Sequence, residues 1–254
     1  MCRMFGYVGS SQKEVDALYG ALKKASSCDP RLKEMVPGHD GRHRHGWGYV
    51  IRTSHQLFHY RTPRALDEDD HCLPVFNGEI QAIFHARLST GGVLGDAVFS
   101  HPYVAYTNQA IFFFAHNGGL KDTAKQVPNK VDSEWALDQI VGEGDIAAAL
   151  PKLKENTQTA LNILLMTINR EARKAAISYL NWYDGRGDKK KDGYYQMYKA
   201  TMSNGGEAVF SSTLGRHLMK HIAEGSKTPV EYGKLQNLCL PSAKRSTSRK
   251  SPHF

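Results

Sequence analysis

The chain opens on an apolar, β-prone run. Met4, Phe5, Tyr7 and Val8 lead to Gly9-Ser10, a pattern that predicts a buried strand beginning at the N-terminus. The period then lengthens. Ser11-Gln12-Lys13-Glu14 fits an S-x-x-E capping box, and Val15, Leu18, Tyr19, Leu22 and Ala25 follow at helical spacing, which predicts a helix to about Ser26. Residues 27–46 are polar and irregular, broken by Pro30, Pro37, Gly38 and Gly41, and read as a flexible loop beside a site. Residues 46–51 and 56–60 flank the turn Thr53-Ser54-His55 and form a hairpin pattern. Residues 61–78 read as loop. Over 79–89, Ile80, Ala82, Phe84, Ala86 and Leu88 share one parity against Gln81, Ile83, His85 and Arg87, the mark of a half-buried strand.

The second half continues the alternation. Residues 111–115 form a short apolar strand that stops at His116-Asn117-Gly118-Gly119, where Asn-Gly favours a β-turn. Asp132-Ser133-Glu134 opens a helix carrying Trp135, Leu137, Ile140 and Val141, with Asp132 as its N-cap. A second helix is predicted over 145–155. Strands follow over 160–169 and 175–183, then a polar hairpin loop over 184–193, then an antiparallel pair over 194–202 and 207–211. Residues 242–254 read as a flexible basic tail. No internal repeat is present. Antiparallel strands with a few helices define an α+β domain spanning residues 2–241.

Composition narrows the function classes. The chain has 254 residues, 41% hydrophobic and 23% charged, an ordinary globular balance. The net charge of +8 is concentrated in Lys189-Lys190-Lys191 and in Lys244, Arg245, Arg249 and Lys250. Such runs are usually solvated loops and tails; no nucleic-acid motif accompanies them, so a nucleic-acid partner is not expected. Mean hydropathy is −0.48 and no stretch reaches the ~18 apolar residues of a membrane span. The start lacks a charged leader with an apolar core. A cytoplasmic protein without membrane contact is expected. Cys2, Cys28, Cys72 and Cys239 show no CxxC spacing and read as separate thiols in a reducing compartment. His39, His43 and His45 invite a metal reading, but only Asp40 joins them and Arg42 and Arg44 oppose it. No metal or cofactor is expected.

Candidate chemistry gathers at three places. If Met1 is removed, Cys2 carries a thiol of reference pKa about 8.5 and an α-amine of about 7.7–8.0. Nucleophile and base then share one residue. The competing reading is a small buried residue at a strand start. Arg87, before a glycine turn, can fork around a carboxylate. Asn117 offers an amide donor and Gly118 an unobstructed backbone N–H, the parts of an oxyanion hole or of a plain turn. Trp47 between Gly46 and Gly48 marks a close backbone approach or a packing aromatic.

In order along the chain, the N-terminal cysteine strand, Arg87-Leu88-Ser89-Thr90-Gly91-Gly92, His116-Asn117-Gly118 and Asp132-Ser133-Glu134 resemble the class II glutamine amidotransferases of the N-terminal-nucleophile hydrolase fold. Met1-Cys2-Arg3 with Gly6-Tyr7 is most similar to a small stand-alone branch that includes γ-glutamyl amide hydrolases. The resemblance extends to Gly142 and is faint after it, where residues 209–214 resemble a degraded S-E-P-L element. It implies a four-layer αββα sandwich with two stacked antiparallel sheets. It implies that Cys2 attacks a γ-glutamyl amide, that Asn117 and Gly118 hold the oxyanion, that Arg87 and Thr90 hold the α-carboxylate, and that Asp132 pairs with the α-ammonium. The implied partners are glutamine or a γ-glutamyl small molecule, with a separate acceptor-synthase subunit if ammonia is transferred. A linear-amide hydrolase without transfer and a non-catalytic binding module are the alternatives. His45 stands where the branch commonly has aspartate in H-x-D-G-W-G, and Gly91 where histidine is frequent. These departures bear on pocket shape, for which His45, Trp47 and His116 are the candidates.

Overall fold

The computed structural model describes residues 1–89, 96–121 and 130–239. Its first strand, β1 (Arg3–Gly9), is buried along its whole length. It lies among β2 (Trp47–Thr53), β3 (Leu57–Thr62), β4 (Ile80–Ala86), β9 (Met197–Thr201), β10 (Glu207–Ser211) and β11 (Thr228–Pro229). Among the described residues these make a seven-stranded sheet in the order β11-β9-β10-β1-β4-β2-β3. Strands β5 (Tyr103–Tyr106), β6 (Ala110–Leu120), β7 (Thr157–Asn169), β8 (Ala175–Leu180) and β12 (Gln236–Leu238) make a five-stranded sheet in the order β12-β8-β7-β6-β5. Every ladder pairing is antiparallel. The helices are α1 (Gln12–Ser27), α2 (Pro30–Met35), α3 (Asp132–Glu143), α4 (Ile146–Glu155) and α5 (Lys189–Tyr195).

The alternation of side chains along each strand builds the layers. Met4 and Val8 of β1 join Val50 and Ile83 against Phe113, Ala115, Leu164 and Met166 of the second sheet. Phe5 and Tyr7 point the other way, into Val15, Leu18 and Leu22 of α1. On the far side, Phe112, Phe114, Leu161 and Ile163 pack under Ala136 and Ile140 of α3 and Ile146 and Leu153 of α4. The result is the four-layer αββα sandwich that the resemblance implies. Because the sheets face each other, β4 is buried on both faces, and the half-buried strand expected over 79–89 is corrected accordingly.

Several local expectations give way to tertiary pairing. The segment His116-Asn117-Gly118-Gly119 is not a turn: β6 continues through it to Leu120, with Asn117 opposite Asn162 and Gly118 opposite Leu161. The long partner β7 supplies backbone bonds that a local turn would forgo. Glu14 does not complete a capping box at Ser11. It is buried and accepts hydrogen bonds from Tyr7 Oη at 2.8 Å and from the Gly206 and Asn204 N–H groups. Asp132 is the first residue of α3 and not its cap; Glu134 accepts from the Val131 N–H instead. The loop expected over 184–193 contains the start of α5, capped by Asp188. The tail at 242–254 lies outside the described residues. Among the described residues, no helix is long and apolar enough to cross a membrane.

The region read as a flexible loop at 27–46 instead carries an ordered polar node. Asp29 caps α2 through the Arg31 and Leu32 N–H groups, accepts from Thr213 Oγ1 at 2.9 Å, and holds Arg3 Nε at 2.5 Å and His43 Nε2 at 3.0 Å. Arg3, Asp29 and His43 are fully buried. Burial raises the Asp29 carboxyl, but Arg3 and His43 outweigh it and hold the group well below the usual carboxylate range. A depressed carboxyl adds stability above its unfolded pKa of about 3.9 and loses it as pH falls toward the folded value. Asp29→Ala would strand the Arg3 guanidinium in the interior, and urea denaturation at neutral pH should show a loss of about 3–5 kcal/mol. In wild type the urea midpoint should fall steeply below pH about 4, and this acid slope should be shallower in the variant.

Candidate active site

Strand register brings the candidate residues to one end of the sandwich. The ladder between β1 and β4 ends with Arg3 opposite Ala86, so Cys2 and Arg87 face each other one step beyond it. The Cys2 N–H donates to Asn117 Oδ1 of β6 at 2.7 Å, which docks the start of the first sheet on the second. The Met1 ammonium donates to the Leu88 carbonyl at 2.8 Å, and Cys2 Sγ lies 4.0 Å from the same oxygen. A cavity of about 370 Å³ opens here, lined by Met1, Cys2, Arg87, His101, His116, Gly118 and Asp132 among others. Arg87 is anchored through its N–H to Gly46 O and through Nη1 to His45 O. Asp132 Oδ2 accepts from the Leu120 N–H at 3.0 Å.

Gly118 is required by space. A Cβ there would lie 1.7 Å from the Ala160 carbonyl oxygen and 2.9 Å from His116 Nε2. The ladder with β7 is irregular between Gly118 and Leu120, a disruption of the kind that re-aims backbone groups beside sites. His116 is tied down on both nitrogens. Nε2 must donate to Ala160 O at 3.1 Å, so Nδ1 accepts from Ser133 Oγ at 3.0 Å. Burial lowers its pKa, in keeping with this neutral tautomer.

The thiol of Cys2 is displaced strongly. Burial alone would raise its pKa; the Met1 ammonium and His85 outweigh burial and bring it well below the ordinary thiol range. His101 is 4% exposed, and neither ring nitrogen has a hydrogen-bond partner. Burial, followed by the nearby His85 and His116, pushes its pKa well below the usual value.

The structure separates the sequence candidates. Cys2, Arg87, His116, Gly118 and Asp132 line the cavity, and Asn117 stands directly behind Cys2. Trp47 does not: it is buried in the outer core, with Nε1 donating to Asp69 Oδ2 at 2.9 Å. His45 is also absent from the lining and accepts from the Ser89 N–H through Nδ1. Thr90 and Gly91 lie outside the described residues. Sequence reading gave no role to His85 or to His101. The available signal for His85 was its parity with Arg87 on one strand; His101 lies in a connection with no periodic pattern. Among the described residues, no group of three His, Cys, Asp or Glu is placed to hold a metal ion.

No protein-family model matches the chain. No curated protein matches it. Solved structures do. Glutamine phosphoribosylpyrophosphate amidotransferase from B. subtilis, complexed with ADP and GMP, aligns with 93% of the chain at a TM-score of 0.61 and 18% identity, over 47% of its own length. A structure described as the allosteric regulatory enzyme of purine biosynthesis aligns with 93% of the chain at a TM-score of 0.62 and 18% identity, over 46% of its length. The chain thus spans about half the length of each. It has the fold of an amidotransferase, an α+β sandwich of two antiparallel sheets. At this identity the likeness is one of fold.

Gly118→Ala tests the space argument. The added methyl meets backbone, which cannot rotate away, so β6 must part from β7. The variant should melt well below wild type in a thermal scan, whereas Gly142→Ala, whose Cβ meets nothing, should not.

Proposed function

We propose that the cavity at Cys2 hydrolyses the γ-amide of glutamine or of a γ-glutamyl compound through a glutamyl-thioester. The observation that carries this reading is the 2.7 Å hydrogen bond from Cys2 N to Asn117 Oδ1. It sets the sulfur and an amide-lined strand at one cavity whose walls also present Arg87 and Asp132. A guanidinium and a carboxylate across one cavity suit an α-amino acid head, with the α-carboxylate on Arg87, supported by Thr90, and the α-ammonium on Asp132.

Removal of Met1 would convert the Cys2 amide nitrogen into a free amine and clear one residue from the cavity lining. The amine takes the thiol proton as Sγ bonds to the γ-carbonyl carbon. The oxyanion that forms is held by Asn117 Nδ2 and the Gly118 N–H. The amine then returns a proton to the leaving nitrogen, the C–N bond breaks, and the thioester is hydrolysed by water. Ammonia or an amine leaves, either to solvent or to an acceptor-synthase partner. The chemistry uses amino-acid side chains and backbone alone.

Protein whose intact mass shows loss of Met1 should release glutamate from glutamine or from γ-glutamyl dipeptides, and comparing the two substrates assigns the leaving group. Cys2→Ala should abolish turnover. Asn117→Ala should lower kcat by about 10²–10³. Arg87→Ala should raise KM by roughly 10- to 100-fold, the loss of charge-assisted hydrogen bonds. Absence of turnover for every γ-glutamyl amide in Met1-free protein would sink the reading.

A further inference from the structure

His85 lies on the same face of its strand as Arg87, and its partner across the ladder is Met4. Partners in an antiparallel pair share a face, and so do residues two apart. Cys2, two residues before Met4, therefore stands on the face that carries His85, as its diagonal neighbour. That face is turned toward β6: His85 Nε2 lies 3.1 Å from the His116 carbonyl oxygen. A carbonyl can only accept, so Nε2 carries the proton and Nδ1 presents a lone pair. Nδ1 is buried and no hydrogen bond is closed to it. An acceptor without a partner, beside a buried thiol, is an unusual thing to leave in an interior.

We infer that His85 Nδ1 is a proton acceptor for the Cys2 thiol, so that the sulfur can ionise while Met1 is still in place. The Sγ–H bond breaks, its electron pair stays on sulfur, and an N–H bond forms at Nδ1. A thiolate and an imidazolium result, with no other reactant needed. The neighbouring imidazoles are committed or remote from this exchange. His116 uses both nitrogens; His43 gives Nε2 to Asp29, and its Nδ1, also without a hydrogen bond, lies outside the β1–β4 register that sets His85 beside Cys2. His101 packs on His85 with ring centroids 4.1 Å apart, and burial keeps it neutral. The cations around the pair are the Met1 ammonium, Arg3 and Arg87, which favour a thiolate; the phenol facing it, Tyr194, is raised by burial. This inference rests on Cys2 being the nucleophile.

The test reads the thiol directly and needs no substrate. Iodoacetamide alkylation of the full chain is followed against pH at the Cys2 peptide by mass spectrometry, which separates it from the exposed Cys28, Cys72 and Cys239. Wild type retaining Met1 should show a midpoint below the ordinary thiol value of about 8.5, and His85→Gln should raise that midpoint by at least one unit, slowing alkylation about tenfold at lower pH. An unchanged midpoint in His85→Gln overturns the inference. Should that variant fail to fold, wild type acetylated at its N-terminus decides: loss of the ammonium raises the midpoint, yet it should stay below the ordinary thiol value, and its full return to that value overturns the inference. Failure of amide turnover in Met1-free protein would remove the hydrolase reading and leave this titration as measured.

Discussion

Everything at the cavity depends on where the first strand begins, and a buried ion pair sets that point. Arg3 Nε meets Asp29 Oδ2 at 2.5 Å with both groups sealed from water. The same carboxylate receives the α2 backbone, His43 and Thr213, so segments from four parts of the chain converge on two oxygens. The Arg3 guanidinium is also held from above, over the Tyr194 ring at 3.8 Å and on the Tyr194 carbonyl. A buried ion pair is a poor source of net stability, since desolvation offsets much of the attraction. Its effect here is positional. A strand whose first residue is clamped in this way cannot slide, and a slip of one residue would turn Cys2 from the cavity to the opposite face.

The second constraint is the meeting of two sheets at one end of the sandwich. Cys2 and Arg87 come from paired strands of one sheet, whereas Asn117 and Gly118 come from the other. The contact between sheets near Cys2 is polar: Cys2 N on Asn117, and His85 on the His116 carbonyl. Further along the strands it is apolar, through Met4, Val8, Phe113 and Leu164. The apolar part fixes the spacing of the layers, and the polar part fixes how side chains are aimed across it. Burial lowers the pKa of His101 and of His116, so neither supplies positive charge near the sulfur, where the chain terminus and His85 do.

Much of the architecture was legible in periodicity. The apolar runs of β1 and β7, the alternation in β4 and the 3.6-residue spacing of α1 are driven by burial, and burial is written in residue type. Four short motifs in order pointed to one fold, and that fold is present. The misreadings share a cause. The His116-Asn117-Gly118-Gly119 segment has turn chemistry, but a thirteen-residue partner, β7, keeps it extended. Glu14 sits at a capping position, but Tyr7 and the turn at Gly206 claim its carboxylate. Trp47 lies between glycines and looked like a pocket residue, yet the outer core and Asp69 hold it. In each case a distant partner outbid a local preference, and no local pattern records that partner.

The amino-acid sequence alone therefore determined where most of the longer strands and helices lie, and which residue types could supply a nucleophile, a carboxylate clamp and an anion cradle. These are properties of neighbours in the chain, and neighbours are what a pattern encodes. Tertiary structure decided which of those residues share a cavity, that Asn117 receives the Cys2 nitrogen, that His116 is spent on structural bonds, and that an unremarked histidine stands beside the sulfur. Those facts depend on register between strands more than eighty residues apart, and register is settled only when both sheets close on each other.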